Sequence, residues 1–267
     1  MHVEHHKWYS PSLHKEMELK IYGHFGKPLI IFPTQGGTFH EAEDYHLIEV
    51  LQLFINEGRI KVFTVDSVDT DAWANEGVAV HDRGNRHEQY NSYIVNEVVP
   101  MIRNHCNNPE IQIALTGCSM GAYHATNFFF RHPFIFDTVI AISGIYDLKL
   151  FIGDYVDDYV YYNSPLRFLK ELSDDHILNK LRSNKIVFAV GKGAWEEEMI
   201  ADTEEMRIVL ESKSIPAWID VWGNNVDHDW PWWRVMLPYL WKNFFSNSCF
   251  DACFKGNFSD FLINKIV

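Results

Sequence analysis

The sequence contains the stretch Ile111-Gln-Ile-Ala-Leu-Thr-Gly-Cys-Ser119-Met-Gly-Ala-Tyr123, an apolar run, a Gly-x-Ser-x-Gly motif and the start of a helical pattern in succession. A strand, a sharp turn and a helix in this order are typical of a nucleophile elbow, which exposes a serine at the end of a parallel strand. The motif needs its glycines because side chains there would clash with the neighbouring strand and helix. We therefore predict that Ser119 is a catalytic nucleophile. Cys118 occupies an x position, so we expect its thiol to point away from the apex and to be inert.

Short apolar runs and longer helical patterns alternate along the rest of the chain, which predicts a mainly parallel sheet covered by helices. The first two strands precede any helical segment and indicate an antiparallel hairpin at one edge. The predicted strands are residues 3–8, 17–22, 29–32, 61–65, 111–115, 138–142, 186–190 and 217–221, and the predicted helices are residues 42–57, 87–106, 120–132, 196–212 and 232–245.

The chain has 267 residues, which fits one α/β catalytic domain over residues 1–245. Residues 147–183 interrupt the alternation with a sequence rich in Tyr and Asp, and we expect a small cap-like insertion over the ligand-binding edge. Residues 246–267 form a tail that matches nothing expected of the core, and its role stays open.

The balance of 23 basic and 36 acidic residues gives a net charge of −13, which disfavours binding to nucleic acids and to anionic membranes. The polar start of the chain lacks the apolar run of a secretory signal, so we expect a cytoplasmic protein. Residues 111–130 carry no charge but are too polar for a membrane helix.

The pattern of cysteines and histidines predicts no metal site, and we expect no other cofactor. The four cysteines contain no CxxC pair and are too few for a disulfide scaffold, so we expect reduced thiols. His2, His5 and His6 lie close together near the start, but strand alternation would place His5 and His6 on opposite sides. We therefore expect no metal there.

A catalytic serine needs a base and an orienting carboxylate. Where the serine lies on a nucleophile elbow, they follow it along the chain in the order Ser, acid, His. The histidines after Ser119 are His124, His132, His176 and His228. Only His228 lies beyond the predicted strand 186–190, after which the acid normally comes. If a triad exists, His228 is its base.

Three carboxylates follow strand 186–190 directly, in the segment Trp195-Glu-Glu-Glu198. Glu196 is our choice for the acid because it emerges first from the turn, with Glu197 as the runner-up and Asp202 as a third candidate. The others favour the N-terminus of the next helix through its dipole. Asp227 and Asp229 adjoin His228, and sequence neighbours rarely present side chains in the required line.

An oxyanion hole needs two backbone N–H groups aimed at the developing charge. Met120, directly after the nucleophile, is expected to supply one. The loop Pro33-Thr-Gln-Gly-Gly37 should supply the other, from Gln35 or alternatively from Gly36. We also predict substrate contacts at Gly36, Trp195 and Trp230, since the two tryptophans flank the proposed acid and base.

Several motifs together resemble the putative-esterase branch of the α/β-hydrolases, which includes esterase D (S-formylglutathione hydrolase), feruloyl esterases, enterochelin esterases and the antigen 85 mycolyltransferases. The motifs are the elbow at 117–123, the stretch 93–100, the pair Ser143-Gly144 and the segment His228-Asp-Trp-Pro-Trp-Trp233. The resemblance covers roughly residues 1–245 and implies an α/β-hydrolase fold with a mainly parallel eight-stranded sheet and helices on both faces.

The resemblance assigns Ser119 as nucleophile, His228 as base, Met120 and the Gln35 region as oxyanion donors, and an acid near Glu196. Many members have His-Gly where this chain has Pro33-Thr34, and many have an Asp where it has residues 194–196. The second oxyanion donor and the acid therefore stay open.

The expected function is hydrolysis of a small or medium carboxylic ester through an acyl-enzyme, with the ester as the partner molecule. Two alternatives remain: acyl transfer to a sugar or another alcohol by the same triad, and a non-catalytic binding protein on a hydrolase scaffold. The ester and the oligomeric state, including a homo-oligomer, stay open.

Overall fold

The computed structural model describes residues 1–245, and eight strands lie within them. The strands are β1 (Val3–Ser10), β2 (Lys15–Tyr22), β3 (Lys27–Phe32), β4 (Ile60–Val65), β5 (Ile113–Cys118), β6 (Phe136–Ile142), β7 (Lys185–Val190) and β8 (Trp218–Val221). They form one sheet in the order β1-β2-β4-β3-β5-β6-β7-β8. The predicted α/β-hydrolase sheet is thereby confirmed.

The sheet is mixed at one edge only. β1 pairs with β2 and β2 pairs with β4 in antiparallel fashion, while every other neighbouring pair is parallel. The strand order reverses between β3 and β5, and in open α/β sheets ligands bind at the carboxyl ends of the strands at such a point. The sheet topology therefore places the candidate site at the ends of β3 and β5.

Helices cover both faces of the sheet. Within residues 1–245 they are α1 (Glu41–Asp44), α2 (Leu47–Asn56), α3 (Val80–Tyr93), α4 (Val99–His105), α5 (Met120–Arg131), α6 (Lys149–Ile152), α7 (Asp158–Tyr162), α8 (Pro165–Glu171), α9 (Asp175–Ser183), α10 (Glu197–Ser212) and α11 (Trp230–Phe245). One buried cluster joins α1, α2 and α11 to the sheet, and another joins its opposite face to α3, α4, α5, α8, α9 and α10. None of the helices described is long and apolar enough to span a membrane.

Two predicted helices differ from those observed. The helix expected over 42–57 is divided into α1 and α2, because His46 adopts a left-handed backbone conformation with φ 62°. The helix expected over 87–106 begins already at Val80 and contains a wider π-helical turn, Ile94–Val98, between α3 and α4. Pro100 follows this turn and has no N–H to donate to the preceding turn, which explains the local widening.

The segment 147–183 forms α6 to α9. Its first half packs near Ser119, since it shares a buried cluster with the start of α5. The residues of this cluster include Leu148, Ile152, Val160, Met120 and Tyr123. Tyr123 also donates from its hydroxyl to the Asn163 carbonyl at 2.9 Å. The cap-like role of this segment stays a prediction, and the tail 246–267 lies outside the described residues.

Candidate active site

Ser119 lies at a strained turn between β5 and α5. Its backbone has φ 55° and ψ −122°, a conformation that costs a non-glycine residue about 1–3 kcal/mol. A Cβ at Gly121 would lie 2.4 Å from the Phe32 carbonyl oxygen, and one at Gly117 would lie 2.4 Å from the Gly121 backbone carbon. Both glycines are therefore required, because the first turn of α5 packs directly against the end of β3 at Gly121 and against the end of β5 at Gly117.

His228 lies on the loop between β8 and α11, and this loop is tied to the one that follows β7. The His228 N–H donates to the Ala194 carbonyl at 3.0 Å, and the Ala194 N–H donates to Asp227 Oδ1 at 2.8 Å. A Cβ at Gly191 would lie 2.0 Å from the Val226 carbonyl oxygen, so only glycine allows the two loops this approach. Asp227 thus holds the loop of His228 and does not face its ring.

The imidazole of His228 joins the serine to a carboxylate. Its Nε2 lies 2.9 Å from Ser119 Oγ, and its Nδ1 lies 3.4 Å from Glu196 Oε2. The His228 side chain is 14% exposed and that of Glu196 is 0% exposed. The nucleophile, base and first-choice acid predicted from the sequence are therefore brought together in one line.

Two further side chains hold the carboxylate of Glu196. Ser143 Oγ donates to Glu196 Oε1 at 2.5 Å, and Trp233 Nε1 donates to Ser143 Oγ at 3.2 Å. Trp233 also meets the His228 ring edge to face, at 4.9 Å between ring centroids. This buried chain of donors orients the Glu196 carboxylate and packs against the His228 ring at the same time.

The other carboxylates considered for the acid lie elsewhere. Glu197 is exposed in the first turn of α10, where its charge favours the helix dipole. Asp202 accepts hydrogen bonds from the backbone N–H groups of Tyr146 and Asp147 at 2.5 and 3.0 Å, and burial raises its pKa. Asp202 therefore anchors the start of the 147–183 segment.

The candidate oxyanion donors lie at the elbow and on the loop after β3. Within residues 1–245, the backbone N–H groups of Met120, Gln35 and Gly36 donate to no other group of the chain. Glu41 braces the loop, since the N–H and hydroxyl of Thr34 both donate to its carboxylate at 2.7 Å. Burial raises the pKa of Glu41.

The residues expected to contact substrate lie around this edge. Trp195 precedes Glu196, has φ 66° and is 79% exposed. Trp230 stacks on Tyr45 at 4.5 Å between ring centroids. Gly36 is exposed and has φ 71°.

Cys118 is buried next to Ser119 in the chain. Its side chain is 2% exposed, and burial raises the pKa of its thiol well above the ordinary value. A thiol that stays protonated is a poor nucleophile, which fits the expectation of an inert residue.

No hydrogen-bonding role of Ser143, Trp233 or Glu41 was predicted from the sequence. A signal existed for Ser143, because Ser143-Gly144 directly follows β6, which is the neighbour of β7, and Glu196 lies on the loop after β7. Trp233 lies within the motif that begins at His228. Glu41 carried no signal, since only the folded loop brings its carboxylate to Thr34.

A family model described as "Putative esterase" matches residues 26–240 of this chain. No curated protein sequence matches the chain. Among solved structures, a ferulic acid esterase is 17% identical, with a TM-score of 0.70, and the match covers 91% of this chain and 98% of that one. An S-formylglutathione hydrolase from Agrobacterium tumefaciens is 14% identical, with a TM-score of 0.69 and coverage of 90% and 93%.

MPT51 from Mycobacterium tuberculosis is 12% identical, with a TM-score of 0.69 and coverage of 91% and 98%. At these identities the structural likeness establishes the α/β-hydrolase fold, while the family match covers most of the described chain. The chain belongs to the putative-esterase family and is an esterase of the α/β-hydrolase fold.

Proposed function

We propose that this esterase hydrolyses carboxylic esters through an acyl-enzyme on Ser119, with His228 as the base and Glu196 as the acid. One observation carries the proposal: the two nitrogens of one partly exposed imidazole face the Ser119 hydroxyl and the buried Glu196 carboxylate. This is the relation that a serine, a base and an orienting acid need.

The acylation step follows from the donors and acceptors of this line. Glu196 favours the His228 tautomer with the proton on Nδ1, which leaves Nε2 free to accept the proton of Ser119 Oγ. As Oγ attacks the ester carbonyl carbon, the imidazolium that forms is stabilised by the carboxylate. Ser143 and Trp233 keep this carboxylate aimed at Nδ1.

The negative charge that develops on the carbonyl oxygen is assigned to the N–H groups of Met120 and Gln35, with Gly36 as the alternative to Gln35. These groups have no other acceptor within residues 1–245 and are therefore free to donate to an oxyanion. Loss of one such donor typically lowers kcat by about 10²–10³-fold.

His228 then gives its proton to the leaving alcohol, and the acyl-enzyme remains. Water hydrolyses this intermediate: His228 accepts a proton from the water molecule, whose oxygen attacks the acyl carbon. The alcohol and the acid leave in turn, and Ser119 regains its proton from His228. His228 relays every proton between Ser119, the leaving alcohol and water, and the proposal includes no metal or organic cofactor.

The decisive experiment replaces the nucleophile. With p-nitrophenyl acetate as substrate, Ser119→Ala should lower kcat by about 10⁴-fold or more, by comparison with serine proteases. Cys118→Ala is the matched control, because it removes the neighbouring buried thiol and should leave the rate within a few fold. A fluorophosphonate probe should label the wild type and the Cys118→Ala variant, and leave Ser119→Ala unlabelled. Hydrolysis by Ser119→Ala at the wild-type rate would show that the assignment is wrong.

We further propose that the substrate is a small or medium ester held by Trp195, Trp230 and Gly36. The support is their place beside the acid, the base and the oxyanion loop, together with the large exposed face of Trp195. A panel of p-nitrophenyl esters of rising chain length, with feruloyl esters, acetylated sugars and S-formylglutathione, tests the class. Trp195→Ala should raise KM with kcat nearly unchanged for the preferred ester; an unchanged KM would remove Trp195 from the site.

A further inference from the structure

Three histidines converge on one carboxylate at the outer edge strand of the sheet. Glu4, His6 and His105, here named the Glu4 cluster, present ligand atoms that all lie within 4.8 Å of one another. His105 Nε2 lies 3.1 Å from both oxygens of Glu4, and His6 Nε2 lies 3.1 Å from Oε2. His2 Nε2 approaches Glu4 Oε1 to 2.8 Å from the solvent side.

The backbone explains why these side chains meet. Alternate residues of a strand share a face, so Glu4 and His6 of β1 point to the same side as Trp8. This side packs on the helical segment that ends at His105, since Trp8 Nε1 and Ser10 Oγ donate to Glu97 at 2.9 and 2.8 Å. The Glu4 cluster is thus the second polar contact between β1 and that segment.

The ring of His105 is held in place from two sides. Phe63 meets it edge to face at 6.1 Å between ring centroids, and His6 does so at 6.2 Å. The His105 side chain is 22% exposed, against 58% for His2. The cluster therefore has one imidazole, that of His105, held in place by packing, and an exposed side that a small solvated ion can reach.

The donor set matches a transition-metal ion better than an alkaline-earth ion. Imidazole suits Zn²⁺, Cu²⁺ and Ni²⁺, whereas Ca²⁺ and Mg²⁺ prefer sites made wholly of oxygen atoms. In a tetrahedral zinc site, metal–ligand bonds of about 2.0–2.1 Å place neighbouring ligand atoms about 3.4 Å apart. The Glu4–His6 and Glu4–His105 separations of 3.1 Å are close to this spacing before any side chain moves.

We propose that Glu4, His6 and His105 bind a Zn²⁺ ion, with His2 or water as the fourth ligand. β1 is four places from β5 in the sheet, or about 19 Å at about 4.8 Å per strand, so the ion takes no part in chemistry at Ser119. The ion joins the edge strand β1 to His105 at the end of α4. Because it binds the folded chain, it stabilises the folded state.

Strand alternation places His5 and His6 on opposite sides of β1, so residues 2–6 alone do not supply a metal site. His5 faces away from the Glu4 cluster and lies 2.8 Å from Glu18 Oε2. His105, which is far away along the chain, supplies the ligand that residues 2–6 lack. His5 is therefore the natural matched control.

The test is zinc titration of the full-length, chelator-treated chain by isothermal calorimetry. Wild type and His5→Ala should each bind one Zn²⁺ with the same affinity. His6→Ala and His105→Ala should bind at least about tenfold more weakly, since loss of even an outer-shell partner costs about 10–100-fold. Hydrolysis of p-nitrophenyl acetate should be equal in all four proteins.

Two further measurements keep the result decisive if a variant folds poorly. Zn²⁺ should raise the melting temperature of the wild type and of His5→Ala, and not that of the isosteric Glu4→Gln. Co²⁺ bound to the wild type should show the strong visible absorption of a four-coordinate ion. The proposal is overturned if wild type binds no Zn²⁺, if His105→Ala binds it as tightly as wild type, or if His5→Ala loses as much affinity as His6→Ala.

Discussion

Two histidines of this molecule, His124 and His228, each pair with a carboxylate that is fully buried, and of these two only His228 faces Ser119. His228 Nδ1 is 3.4 Å from Glu196, whereas His124 Nε2 is 2.8 Å from Asp69. The shorter contact belongs to the pair that is fully buried, with both side chains 0% exposed. A short distance between a histidine and a carboxylate therefore does not identify a catalytic base.

The surroundings of the two imidazoles account for the difference. His124 lies in the middle of α5 among aromatic rings, including Phe32, Phe128 and His87, and its Nδ1 has no hydrogen-bond partner within the described part of the chain. His228 lies on a loop and has a hydroxyl at its second nitrogen. A base needs a reacting group on one side and an orienting acid on the other, and an imidazole enclosed by a core has room for neither substrate nor water.

The largest effect should follow from a change to Glu196, the proposed acid. Glu196→Gln keeps the side-chain shape but replaces one carboxylate oxygen by an NH₂ group, which favours the wrong tautomer of His228. By comparison with the same change in a serine protease, kcat should fall by about 10⁴-fold. Steady-state kinetics with p-nitrophenyl acetate measure this change.

Glu197→Gln is the matched control for the acid, since its side chain is exposed one residue further along. It should leave kcat within about twofold and the free energy of unfolding within about 0.5 kcal/mol. A crippled Glu197→Gln beside a harmless Glu196→Gln would reverse the assignment of the acid.

A change to the buried pair of His124 and Asp69 should lower the stability of the protein and leave its activity nearly unchanged. His124→Ala leaves Asp69 buried without its partner and opens a cavity, which should lower the free energy of unfolding by about 3–5 kcal/mol. Urea unfolding measures the loss, and kcat per folded molecule should change by less than about tenfold.

His176→Ala is the control for this change, because His176 is exposed on α9 and was another of the histidines that follow Ser119. It should alter the free energy of unfolding by no more than about 0.5 kcal/mol. If His124→Ala abolished activity while folding normally, the division between a catalytic and a structural pair would be wrong.

The smallest effect should be a pH dependence of stability that arises from buried histidines. Burial lowers the pKa of His87 well below its usual 6.5, and that of His132 to about 4. The unfolded chain therefore takes up these protons first, so stability is full above pH about 6.5 and falls as the pH drops below it. His87 alone should contribute a slope of about 1.4 kcal/mol per pH unit.

Urea unfolding at several pH values between 5 and 7 measures this slope, in a range above the usual pKa of carboxylates. His87→Phe, which keeps an aromatic ring among the same neighbours, should give a flatter dependence than wild type. Equal slopes for the two proteins would contradict the assignment of a buried neutral His87.

Much of the site could be predicted because its order along the chain is restricted. The Gly-x-Ser-x-Gly motif after a strand located Ser119, and the order Ser, acid, His left only His228 as the base. The choice of Glu196 over Glu197 rested on a turn whose direction a sequence does not specify. Ser143, Trp233 and Glu41 were missed because their roles depend on contacts with residues far away along the chain.

The alternation of strands and helices, the elbow and the class of chemistry follow from local patterns of apolar residues and glycines, so they could be predicted from the sequence. Three features needed the folded chain: which carboxylate faces His228, which histidine is enclosed by the core, and the meeting of His105 with Glu4 and His6. Such pairings depend on the order and register of strands that are distant in sequence, and side-chain burial is defined only once those strands have packed together.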